Sequence, residues 1–281
     1  MARRLGQNKD SGGIATGSIW LMLVGISFIG LSMGPRALGS PVHVLHPEGV
    51  VHGFLALRTP AGKIIANGDL IQTTRGSQMT ARLEFHFSDG SLHGETAVFT
   101  QRGSFRLQSY HMIEKGPAFE HPVEMWIDVS KNQVRVLDLS DGKNKLSTDH
   151  VDLPDDLANG LVPILVKNMR SGAAEITVSL VAATPKPRVV KLIITPQGDD
   201  SFSIAGSQRK AKTFVAKVKI GGVAGAVASL AGKQPPDTHF WISTGESPVF
   251  LKSEGPIAAN TPVWQIELAS PVWPEASASQ R

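Results

Sequence analysis

From Val50 onward, apolar and polar residues alternate with a period close to two. That is the mark of strands with one buried face. Segments 64–72, 79–87, 92–101 and 104–114 are predicted as consecutive strands. In the second of them Leu83, Phe85 and Phe87 share one face, and Arg82, Glu84 and His86 share the other. Ser88-Asp89-Gly90-Ser91 marks a hairpin, because Asp-Gly supplies the positive φ angles of a tight turn. Segments 124–129 and 133–139 form a second hairpin around Ser130-Lys131-Asn132, and Ser140-Asp141-Gly142 repeats the turn chemistry.

The pattern breaks once. Leu157, Leu161 and Leu165 recur at helical spacing in a segment that opens at Leu153-Pro154-Asp155-Asp156 and runs to Met169. Its two Asp suit the positive end of a helix dipole. Pro163 should kink this helix, or restart it after Asn159-Gly160. Strands resume over 175–183, 188–195, 213–220, 240–243, 249–253 and 263–269. The small, apolar run 221–232 fits a strand edge, a closely packed helix or a loop. The expected fold is mainly β: a large curved antiparallel meander, half-barrel or barrel-like, with one principal helix near the middle of the chain. A large antiparallel sheet tends to curl, and its concave face must be filled.

The N-terminus follows a different rule. Arg3, Arg4 and Lys9 precede a stretch without charge from Ser11 to Pro35, and Ala37-Leu38-Gly39 follows as a small-x-small site. This is the layout of a secretory signal, with cleavage expected after Gly39. The alternative is retention of residues 14–33 as an inner-membrane anchor helix. Either way residues 40–274 read as a single exported β-rich domain of the periplasm or cell envelope, and 275–281 as a flexible tail.

Composition narrows the function. Setting residues 1–39 aside leaves 24 basic and 23 acidic residues, too even a balance for nucleic acid. The chain has no cysteine, which excludes disulfides, thiolate metal sites and a lipid-anchor cysteine. Serine-hydrolase elbows, His-Glu-x-x-His and phosphate loops are absent, so no catalytic residue and no cofactor is assigned. A two-residue turn at Asp89-Gly90 would set His86 opposite His93 and Glu84 opposite Glu95. That gathers four ligand types suited to a divalent metal on one face. The simpler explanation of the same residues is a solvated polar face. His-x-x-Glu pairs at 111–114 and 121–124 lie on strands, where positions three apart point to opposite faces. The run Arg209, Lys210, Lys212, Lys217 and Lys219 reads as a solvated sheet face, or, with Lys186, Arg188 and Lys191, as a basic face for anionic lipid headgroups.

Leu153-Pro-Asp-Asp-Leu-Ala-Asn-Gly-Leu161, Phe240-Trp-Ile-Ser243, Lys233-Gln-Pro-Pro-Asp-Thr-His239 and Ile266-Glu-Leu-Ala-Ser-Pro-Val-Trp273 resemble segments of an uncharacterised family of exported bacterial proteins. In architecture the chain also resembles periplasmic domains of unknown function and lipoprotein carriers of the LolA/LolB type. In those carriers a curved sheet wraps a helix and holds acyl chains. Alternating strands, a single helix and the missing catalytic motifs, with this likeness beside them, point to a protein without catalytic function that binds an apolar or lipid-like ligand in its concavity, with Phe54, Leu83, Phe85 and Trp126 as lining residues. Two alternatives stand beside it: an interaction module for another envelope protein, and a metal-dependent enzyme at Glu84, His86, His93 and Glu95.

Overall fold

The sheet begins and ends in its own middle. The first strand, β1 (Val51–Arg58), pairs with β2 (Ile64–Arg75) on one side and with the last, β14 (Trp264–Leu268), on the other. Outward from β2 run β3 (Gln78–Phe87), β4 (Leu92–Arg102), β5 (Ser104–Lys115), β6 (Val123–Asp128), β7 (Gln133–Asp138) and β8 (Lys145–His150). Outward from β14 run β13 (Phe250–Gly255), β12 (Thr238–Ser243), β11 (Ser207–Lys219), β10 (Arg188–Ile204) and β9 (Ile176–Ala182). The structure is a computed structural model. It describes residues 39, 41–140, 142, 144–204, 207–219, 235–258 and 260–269, with no side-chain description for 203–209. The signal or anchor segment, the run 221–232 and the C-terminal tail lie outside the described residues.

Among the described residues the fourteen strands form one antiparallel sheet whose free edges are β8 and β9, so the barrel-like surface does not close. Its curl is visible in the core. Met79, Ile127 and Val134 from one half share a cluster with Ile194, Phe214 and Phe240 from the other. Both halves pack on Leu157, Leu161 and Leu165 of the segment between the edge strands. A second cluster joins Leu57, Phe85, Phe87, Phe119 and Trp264. Concave positions are apolar along most strands because the two-residue period places every second side chain inward.

The central helix is shorter than its leucine spacing suggests. Gly160 takes a φ of +71°. The chain then restarts as α1 (Val162–Lys167), with Pro163 in the first turn, where a missing N–H costs nothing. Ahead of α1 the chain runs along the open edge of β9. Ala158 donates to the Ser179 carbonyl at 2.8 Å, and Ser179 donates back to Asp156 at 3.1 Å. The Asn159 amide continues this ladder as a surrogate peptide group. Its Nδ2 donates to the Val181 carbonyl at 3.0 Å and its Oδ1 accepts from the Val181 N–H at 2.8 Å. An edge that would otherwise leave buried polar groups unpaired is thereby satisfied. Asp156 is buried beside it, accepting from Ser179 Oγ at 2.7 Å and pairing with Lys191 Nζ at 3.1 Å.

Candidate functional site: the inner cavity and its buried charge cluster

Between the two core clusters the concave face is not filled. Among the described residues it surrounds a cavity of about 1250 Å³. Leu55, Leu83, Met112 and Leu192 are typical of its walls. Leu45, Val51 and Val249 also border it and are themselves exposed, so the cavity opens to solvent.

The polar exception in this wall sits on β4 and β5. The β3–β4 loop holds three residues, Ser88, Asp89 and Gly90. Gly90 donates to the Phe87 carbonyl at 3.1 Å, and Phe87 donates to Ser91 at 2.9 Å. Gly90 supplies the left-handed conformation, with φ +87°, that such a loop needs. The extra residue shifts the register by one from the two-residue turn expected of Asp-Gly. His93 therefore pairs with Phe85, Glu95 with Leu83, and Glu84 with Gly94. A one-residue slip moves a whole set of side chains to the other face. His93 and Glu95 thus face the cavity, while Glu84 and His86 point outward, where Glu84 meets Arg82 and His86. The candidate metal cluster Glu84, His86, His93 and Glu95 is split between two faces. Among the described residues no group of three or more His, Asp or Glu is arranged to hold a metal ion.

What joins His93 is Glu114, directly across on β5. A bulge where Phe99 pairs with Leu107 and Val98 with Ser109 reverses the parity of β5. Phe105 and Leu107 are buried before it, and Tyr110, Met112 and Glu114 after it. Without that bulge Glu114 would point outward. Its sequence signal is the pair Tyr110 and Met112, out of phase with Phe105 and Leu107. His93 is 1% exposed. Its Nε2 lies 3.1 Å from Glu95 Oε1, and its Nδ1 lies 3.3 Å from Glu114 Oε1 without the alignment of a hydrogen bond. Burial opposes charge on the imidazole, but the carboxylates of Glu114 and Glu95 outweigh it and push its pKa up to about 9. Beside them burial, and then the same two carboxylates, push the Tyr110 phenol well above its ordinary range. The cluster thus sets a protonated imidazole between the side chains of Glu95 and Glu114, with a neutral phenol beside them.

The four expected lining residues divide likewise. Leu83 borders the cavity. Phe85 points inward but is packed solid in the Phe87–Phe119–Trp264 core, its ring tilted against His93 at 6.4 Å. Phe54 is 54% exposed on the convex face, because its neighbours Gly53 and Leu55 take the inward positions. Trp126 is convex for the same reason, with Met125 and Ile127 buried on either side. It lies between the His111 ring at 5.3 Å and the Arg135 guanidinium at 4.9 Å. His111 there pairs with Glu124 across the strands, at 2.7 Å.

Fold and site together define a barrel-like antiparallel sheet, open along one seam, with a short plug helix and an inner cavity. No protein-family model matches the chain, and no curated protein matches it. Solved structures include a similar one, a β-barrel-like protein of a domain of unknown function, DUF1849, from Brucella abortus. It is 7% identical at a TM-score of 0.41, over 79% of this chain and 100% of that one. That neighbour's own name assigns it no function. The likeness to LolA/LolB-type carriers gains nothing from these comparisons.

Proposed function

We propose that this chain is a non-catalytic protein of the periplasm or cell envelope that holds an apolar or lipid-like ligand inside its curled sheet. The observation that carries this reading is the cavity itself, about 1250 Å³ and walled mainly by aliphatic side chains. Small-molecule sites usually span roughly 300–1,000 Å³. A cavity at or above that range, in a sheet whose other inward positions are packed tightly, is an odd feature unless something fills it. Burying a methylene contributes about 0.8 kcal/mol. A twelve-carbon tail therefore gains roughly 10 kcal/mol before the several kcal/mol that association costs. The basic, apolar and small-residue pattern of residues 1–39 supports an exported location. Lysine-blunted strands and a seam covered by its own chain give less support to the alternative, an interaction module working through a sheet edge.

A neutral apolar fluorophore titrated into the protein tests the reading. Saturable uptake at one site, lost when Leu83→Trp and Val190→Trp fill the cavity without lowering the melting temperature, is the expected result. Uptake that survives the filled variant, or no uptake, rejects it.

A further inference from the structure

We propose that the ligand carries a protonated amine at the end of its apolar tail, and that Glu95 and Glu114 receive this ammonium. The inference rests on the cavity reading above and names the class of head group.

The charges that line the cavity are lopsided. Glu48, Glu95, Glu114, Asp138 and Glu246 supply five carboxylates among the described lining residues. Lys167 supplies the one ammonium, and it is engaged: its Nζ lies 2.7 Å from Glu48 Oε1. His121, with its side chain 64% exposed, lies beside Glu120. No described lysine or arginine is left in the wall to meet an anionic head. A carboxylate or phosphate placed there would face like charges, which is disfavoured.

The depth of the wall shows where a cation would sit. His93 cancels only one of the two charges on Glu95 and Glu114. The Glu114 side chain is 7% exposed, and its Oε1 lies 3.3 Å from His93 Nδ1. Two carboxylates set in an apolar wall against one imidazole favour a further positive charge beside them. The Glu95 side chain is 21% exposed and borders the cavity, so a ligand can reach it. Around both lie Met112, Leu83 and Ala97, which would contact the first carbons of a tail. An alkylammonium supplies N–H donors and a positive charge to this carboxylate pair.

The experiment displaces the neutral fluorophore from the purified full-length chain at pH 7.5. The probes are dodecylamine, dodecanol and dodecanoate, each below its micelle concentration. Dodecylamine is expected to displace at least about tenfold more tightly than dodecanoate, with dodecanol between them. In Glu95→Gln and in Glu114→Gln that preference should shrink to about threefold or less while fluorophore affinity holds. Dodecanoate displacing as well as dodecylamine overturns the proposal, as does a preference that survives both substitutions. Failure of the fluorophore to bind wild-type protein overturns the cavity reading beneath it.

Discussion

Raising the pH should loosen the fold through one residue, His93. Its imidazole titrates at about 9 in the folded chain against an ordinary 6.5. At about 1.4 kcal/mol per pH unit, that difference amounts to roughly 3 kcal/mol of stability. The folded state holds the proton more tightly than the unfolded chain. The contribution is therefore complete below pH 6.5, shrinks from there upward, and is gone above about pH 9. Its source is the pair of carboxylates on Glu95 and Glu114, with the Phe85 and Phe119 rings excluding water. Urea unfolding measured from pH 6 to 9.5 on wild type and His93→Gln isolates the effect, since other groups titrate equally in both. Wild type should lose about 3 kcal/mol relative to its own value at pH 6, and the variant should lose far less. Curves that run parallel across the window would refute the assignment of a charged, doubly paired imidazole.

Three substitutions probe the architecture. Gly68→Ala on β2 would bring a methyl group into the Phe85 ring and within 2.7 Å of the Glu84 carbonyl oxygen; a loss of about 1–3 kcal/mol by urea unfolding is expected. Phe85→Ala should cost about 3–5 kcal/mol, and Phe54→Ala on the convex face less than about 0.5 kcal/mol, by the same assay. Asn159→Ala removes both bonds to Val181 and leaves a buried N–H and C=O unpaired; a loss of about 2–4 kcal/mol is expected, with faster amide exchange along β9.

Much of the strand order was legible because alternation is a local signal. Eleven of the twelve predicted strand segments after residue 64 begin within a residue or two of an observed one. The segment 213–220 is the exception, since β11 starts earlier, at Ser207. Pro196-Gln-Gly198-Asp199-Asp200 looks like a turn, yet β10 passes through it by a bulge between Pro196 and Gly198 and continues to Ile204. β8 was missed because Lys145–His150 carries one large apolar residue, Leu146, and that residue is exposed at the sheet edge. The site failed for a subtler reason. Asp-Gly fits both a two-residue and a three-residue loop, and the difference decides whether His93 faces water or the cavity. Glu114 depends on the bulge at Gln108 of β5, whose one local sign is the change of phase between Phe105 and Leu107 and Tyr110 and Met112. Face assignments accumulate such parity errors along a meander, whereas the existence of each strand does not.

Native mass spectrometry of the protein taken from its own envelope fraction tests the central claim most directly. A bound small-molecule mass that disappears on organic extraction, and that Leu83→Trp with Val190→Trp prevents, is the expected result. A clean chain mass, unchanged after incubation with long-chain amphiphiles, would contradict a ligand-holding cavity.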